Sequence, residues 1–307
     1  NKENPTGYGR IVRGSRNKIK AIIEEKDASP SQKEIIEVNS GIMAFKAKDL
    51  IRLLGKIRNN NKAKEFYLTD TVYEAHLEKL NIQSLRLSDA DEVLGCNTLE
   101  ELQTLEKTYH ISTAKKFLNK GVSFADIEKV KFRGDISIEK GAFIDENVIF
   151  EGAVSIGANA KIGPGCIVSN STIGKNSELL AYSFVEESML ESNAKAGPFA
   201  HIGVQTKMEE GAEIGNFVET KRSNIGANSK AKHLAYIGDG RIGKGVNIGA
   251  GTIFCNYDGV KKHITKIEDD AFIGSNSALV APLTIGAKSY VGSGSVVTKN
   301  VGKGQLA

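Results

Sequence analysis

The stretch Ile267–Val297 reads IEDDAF IGSNSA LVAPLT IGAKSY VGSGSV V. An aliphatic residue returns at every sixth position: Ile267, Ile273, Leu279, Ile285, Val291 and Val297. Upstream, Ala196, Ile202, Met208 and Ile214 keep the same interval, and Ile156-Gly157, Ile162-Gly163, Ile173-Gly174, Ile225-Gly226, Ile237-Gly238 and Ile248-Gly249 repeat the phrase back to about Ile136. A six-residue period is that of a parallel β-helix, in which each repeat is one short strand and a turn. The aliphatic side chain points inward, and the glycine or small residue after it is expected to let the backbone turn a tight corner. Three faces make a coil of about 18 residues, so the stretch holds roughly nine coils. Stacking them buries a continuous Ile, Val and Leu ladder that no single repeat could hide. A sandwich would instead alternate with period two.

Composition sets bounds on the rest. With 307 residues, 40% hydrophobic and 25% charged, the chain is long enough for two domains and has a globular make-up. No run approaches the roughly 18 apolar residues of a membrane span, so a cytoplasmic address is expected. Cys96, Cys166 and Cys255 are widely spaced and include no CxxC pair, which indicates neither a disulfide framework nor a zinc site. A net charge of +4 from 41 basic and 37 acidic residues is too mild to argue for nucleic acid and suits a handler of phosphorylated ligands. The chain begins with Asn, which reads as processing or a fragment.

Residues 1–97 lack the hexads. Ile19–Glu25 and Glu37–Phe45 are predicted strands, and Ala47–Ile57 and Thr69–Leu80 carry helical spacing, which is α/β texture. Thr98-Leu99-Glu100-Glu101 is a capping box ahead of Leu102, Leu105 and Tyr109. It predicts a linker helix over 98–120, with a break near Ser112. Residues 121–307 form the β-helix domain. Two places interrupt its rhythm. The segment after Ile253, Phe-Cys-Asn-Tyr-Asp-Gly-Val-Lys-Lys-His-Ile-Thr-Lys, fits no hexad, and repeat folds place such insertions on one face, commonly the binding face. Between Glu219 and Tyr236 the polar set Glu219, Lys221, Arg222, Lys230, Lys232, His233 and Tyr236 is denser than solenoid packing needs.

Gly-Asn-Phe-Val-Glu-Thr-Lys (215–221), Lys-His-Leu-Ala-Tyr-Ile-Gly-Asp (232–239) and Asn-Ile-Gly-Ala-Gly-Thr-Ile-Phe-Cys-Asn-Tyr-Asp-Gly (247–259) resemble the acetyltransferase half of a bacterial bifunctional family. That family comprises the N-acetylglucosamine-1-phosphate uridyltransferase / glucosamine-1-phosphate N-acetyltransferases. Upstream, Asn-Pro-Thr-Gly-Tyr-Gly-Arg (4–10), Ile-Glu-Glu-Lys-Asp-Ala (23–28), Glu-Val-Asn-Ser-Gly-Ile (37–42), Tyr-Leu-Thr-Asp (67–70) and Gly-Cys-Asn (95–97) resemble the second half of its uridyltransferase domain. The fold class implied is an all-β left-handed parallel β-helix, preceded by a partial α/β nucleotidyltransferase domain and a linker helix. The implied reaction is acetyl transfer from acetyl-CoA to the amine of glucosamine 1-phosphate, with Mg2+ serving only the complete uridyltransferase domain. Gly9, Glu24 and Asn39 match sugar-nucleotide contacts, and Asn97 matches both a contact and a metal ligand. The family's phosphate-cradling glycine loop and metal-binding aspartate have no counterpart here, so uridyl transfer is expected only of the complete protein.

Amide formation from a thioester needs a base for the amine proton, a donor for the oxyanion and anchors for a sugar phosphate. The resemblance makes His233 the base and Asn256 the group that positions the amine or the base; Glu219 reads either as a partner that orients the imidazole or as a surface carboxylate paired with Lys221. It makes Lys221, Tyr236, Asn247 and Lys262 acceptor contacts and gives Ser275 and Ser293 to acetyl-CoA, while the Gly249-Ala250-Gly251 turn, where glycine allows close approach, makes the N–H of Ala250 the expected oxyanion donor. Lysines supply compact charge to a phosphate, and Tyr and Asn supply directional hydrogen bonds. Lys262 lies in the extruded segment, within reach of a neighbouring subunit in an expected homotrimer. Where the family carries Arg-Pro, this chain has Gly203-Val204. Position 203 follows inward Ile202 and is expected to face outward with room for a long side chain, and Lys207 is a substitute cation. Other hexapeptide acyltransferases and an inactive trimeric scaffold are the alternatives.

Overall fold

The computed structural model describes residues 5–307 apart from Asp89, Leu94 and Asn97. The chain divides into two compact units, Asn1–Leu105 and Glu106–Ala307, so the division falls inside the helix Leu99–Leu118.

The first unit is an antiparallel ribbon, Arg10–Arg13 with Ile19–Ile23, beside the helices Pro30–Lys33, Ala47–Leu54 and Asp70–Leu77. Its small core joins Ile19, Ile22 and Val72. The strand predicted over Glu37–Phe45 does not form. Val38 makes one bridge to Arg10, and Asn39 donates to the carbonyl of Gly9 at 2.8 Å. The chain then turns through Gly41 at φ +82°, a left-handed conformation that ends extension.

The helix Leu99–Leu118 starts where its capping box sits: the Thr98 N–H donates to Glu101 Oε2 at 3.2 Å, and the Glu101 N–H donates to Thr98 Oγ1 at 3.1 Å. It runs unbroken past Ser112, whose hydroxyl donates to the carbonyl of Tyr109 at 2.9 Å and stays satisfied inside the helix.

The second unit is a parallel β-helix whose first face is a ten-stranded sheet from Ser123–Phe124 to Tyr290–Val291, one coil more than the period suggested. Register keeps the inward ladder aligned through Ile144, Ile162, Leu179, Ala196, Ile214, Ala231, Ile248, Ile273 and Val291, all buried. Burying such a side chain is worth about 1.5–3 kcal/mol, and the continuity of the ladder makes the coils mutually dependent.

The glycine of the repeat has a different function from the one expected. Gly249 is not in the left-handed region; a Cβ there would lie 2.5 Å from the backbone nitrogen of Ser275, so glycine permits close approach of adjacent coils. The corner is turned two positions later, by left-handed residues such as Asn159, Asn176 and Asn193. Their amides form a ladder, Asn159 Nδ2 to Asn176 Oδ1 at 3.3 Å and Asn176 Nδ2 to Asn193 Oδ1 at 3.2 Å.

Candidate active site

Register brings four of the chosen residues onto one corner. Asn216 pairs with His233, and the pairs Ile214↔Ala231, Ala231↔Ile248, Ile248↔Ile273 and Ile273↔Val291 extend this to a ladder Asn216, His233, Ala250, Ser275, Ser293. Backbone bonds from Leu234 to Asn216 (3.0 Å), Asn276 to Ala250 (2.7 Å) and Gly294 to Ser275 (2.8 Å) hold it. At about 4.8 Å per coil, the corner from His233 to Ser293 is about 14 Å long.

His233 is exposed at the end of the strand Lys230–His233, with Nδ1 2.7 Å from Oδ1 of Asn216. An amide oxygen only accepts, so Nδ1 carries the proton and Nε2 keeps its lone pair. Within one chain Glu219 does not pair with His233. It lies around the corner in the strand Glu219–Lys221, in register with His201 and Tyr236, and among the described residues its carboxylate has no bond to His233. The corner separates them, because chain direction changes at Phe217, a left-handed residue. The N–H of Ala250 has no acceptor among the described residues and is open to a ligand oxygen.

Faces adjoining the corner carry Tyr236 and Asn247, both half-buried. Asn247 stands where a cross-strand charge ladder, Lys161, Glu178, Lys195, Glu213 and Lys230, gives way to the stacked rings of Phe272 and Tyr290. Half-buried Lys221 is in register with Gly238 at the next corner. There Asp239 accepts from Arg222 Nε at 2.7 Å and Nη2 at 2.8 Å, and from Asn256 Nδ2 at 2.5 Å. The Arg222 guanidinium, with help from Asn256, holds the Asp239 carboxyl below the usual carboxylate range. Asn256 is buried, and its amide donates to Asp239 at the root of the inserted segment. Lys262 is exposed on that segment. A face on the order of 15 Å long separates this corner from His233 within one chain.

Gly203 also departs from expectation. It has an ordinary backbone conformation, but a Cβ there would lie 2.6 Å from the carbonyl oxygen of Thr220, which leaves no free room for a side chain. Lys207 is engaged by Glu191 at 2.7 Å. Sequence reasoning missed Asn216 and Asp239 as site groups and placed Arg222 in the dense polar set without a role of its own. The signal was available in the numbering, because Asn216 to His233, Arg222 to Asp239 and Asp239 to Asn256 are each one coil of 17 residues apart.

In the first unit, Gly9, Glu24 and Asn39 line one pocket of about 420 Å³ with Tyr67 and Thr69. The Thr69 hydroxyl donates to Glu24 Oε1 at 2.8 Å. Asn97 lies outside the described residues. Among those described, no group of three or more His, Cys, Asp or Glu is placed to hold a metal. Cys166 is a packing residue: burial pushes its thiol up to about 11. No described helix is long and apolar enough to cross a membrane.

Two family profiles match the β-helix: the GMPPB C-terminal domain over residues 132–203 and the hexapeptide repeat of succinyl-transferase over residues 264–299. Among solved structures, UDP-N-acetylglucosamine acyltransferase of Francisella novicida is similar at 17% identity and a TM-score of 0.36, over 52% of this chain and 59% of that one. The bifunctional protein GlmU of Marinobacter nauticus is 42% identical over 99% of this chain and 67% of its own length. That of Methylococcus capsulatus is 44% identical over 97% of this chain and 65% of its own. The chain thus spans about two thirds of the relatives it matches, and on that identity and coverage it belongs to the bifunctional GlmU family.

Proposed function

We propose that the chain transfers the acetyl group of acetyl-CoA to the amine of glucosamine 1-phosphate, giving N-acetylglucosamine 1-phosphate for UDP-N-acetylglucosamine synthesis. The observation that carries this reading is the ring of His233, with Nδ1 held by Asn216 and the open N–H of Ala250 one coil on along the same corner. The neutral amine attacks the thioester carbonyl. Nε2 takes the proton shed as the C–N bond forms, and Ala250 N–H donates to the oxyanion. Collapse breaks the C–S bond, and the imidazolium returns its proton to the departing thiolate of CoA. Ser275 and Ser293 line the acetyl-CoA path above His233. Lys221 and Lys262 meet the acceptor phosphate, and Tyr236 and Asn247 meet its sugar hydroxyls.

The two corners are too far apart to serve one acceptor within a chain, so we assign the complete site to the seam between subunits of a homotrimer, with Lys262 contributed across it. A cytoplasmic location suits the supply of acetyl-CoA. Uridyl transfer and its Mg2+ are proposed only for the complete protein. Free thiol released from acetyl-CoA is the test. Release that depends on glucosamine 1-phosphate supports the reading, whereas release with serine or another sugar in its place points to a different hexapeptide acyltransferase.

A further inference from the structure

The inserted segment is clasped. Asp258 Oδ1 accepts the N–H groups of Val260 at 2.7 Å and Lys261 at 2.6 Å, and Oδ2 accepts Nε2–H of His263 at 2.6 Å. Behind this, the His263 N–H donates to the carbonyl of Asn256 at 2.8 Å, and Tyr257 bridges antiparallel to Lys262. Gly259, at φ +96°, makes the tight reversal, and a Cβ there would meet nothing, so the turn is closed by hydrogen bonds and not by packing. His263 and Asp258 therefore bracket Lys262 on both sides in sequence. The segment is rooted at Asn256, whose amide donates to Asp239 at 2.5 Å, and after Arg222 and Asn256 the ammonium of Lys262 also lowers the Asp239 carboxyl.

We propose that Asp258 and His263 are positioning residues, which hold the segment in the one conformation that presents Lys262 to the phosphate of the acceptor. This rests on the function proposed above. An exposed lysine has rotamer freedom to lose, and a free loop would add backbone freedom to it, so a pre-closed turn improves affinity for a phosphate without adding a contact. The group served is a phosphomonoester on a small acceptor. Acetyl-CoA, on the His233 corner, is outside its reach.

The test uses the intact protein, with calorimetric titration of glucosamine 1-phosphate, steady-state kinetics and amide exchange. His263→Phe is expected to speed exchange at the Val260 and Lys261 amides and to raise the acceptor Kd and KM about tenfold. The acetyl-CoA KM and kcat should stay within about threefold. His263→Arg, which restores a donor to Asp258, is expected to recover most of the affinity. In a Lys262→Ala background the His263→Phe effect on Kd should vanish, because the clasp acts through Lys262. Additive losses, or an unchanged Kd beside faster exchange, would overturn the inference. Wild-type protein that binds the acceptor without acetylating it would fault the proposed reaction alone, and the clasp would then stand or fall on Kd. Failure to bind glucosamine 1-phosphate at all would overturn the clasp as well.

Discussion

His233 and Asn216 occupy the same position in successive coils, and their 2.7 Å contact gives the ring its base-competent tautomer. Replacing His233 with Ala is expected to lower turnover about 10²–10⁴-fold while leaving the fold intact, measured as kcat beside a circular dichroism control. Asn216→Leu removes only the acceptor that orients the ring, so a smaller fall, about tenfold, is expected in kcat with acceptor KM nearly unchanged. His233 and Ala250 stand inside motifs read along the chain and Ser275 and Ser293 outside them, yet register sets all four on one corner. Asn216 was not legible as a site group, since a hydrogen bond between coils leaves its trace at a spacing of 17, and a motif read along the chain does not sample that spacing. Glu219 shows the converse: it is close to His233 in sequence, but within the chain the corner turns it onto another face.

At the scale of the element, the hexad period revealed strand positions but not the reason for each glycine. Gly249→Ala is expected to destabilise the β-helix by about 1–3 kcal/mol, since the added methyl meets backbone of the next coil and not a movable side chain. Thermal unfolding of the variant checks it. The same geometry makes Gly203→Arg costly to the fold, because the carbonyl of Thr220 lies 2.6 Å from its Cβ position. The helix Leu99–Leu118 was readable from its cap, but its role in closing the first coil was not. There His110, buried, accepts the N–H of Phe132 on Nδ1 at 3.1 Å, and Phe117 stacks on Phe132 at 5.8 Å. Burial and then Lys131 lower the pKa of His110. A depressed histidine contributes stability that is present above its unfolded value of about 6.5 and is lost as pH falls through the folded one. The melting temperature is therefore expected to drop between pH 7.5 and pH 5, and His110→Gln to flatten that dependence. The strand expected over Glu37–Phe45, which does not form, shows the opposing limit, where apolar residues at strand spacing are overruled by the Asn39-Ser40-Gly41 turn.

Along the second unit runs an outer ladder that a monomer would leave wet. Tyr182, Phe199, Phe217 and Leu234 are 58%, 49%, 58% and 60% exposed, and each holds a left-handed backbone that costs about 1–2 kcal/mol. The rings of the first three stack at 5.3 Å and 5.5 Å beside the His233 corner. Such a strip is suited to burial against another copy of the chain. Phe199→Ser with Phe217→Ser is expected to reduce the mass seen by light scattering from three chains towards one and to lower acetyl transfer with it. A monomeric, fully active wild type would count against a site shared between subunits. The most direct measurement is release of free thiol from acetyl-CoA in the presence of glucosamine 1-phosphate, made on the wild type and on folded His233→Ala protein at equal concentration. Acceptor-dependent release by the wild type, reduced at least a hundredfold in the variant, is the expected result. Equal release by the two proteins, or none from the wild type, would contradict acetyl transfer through His233.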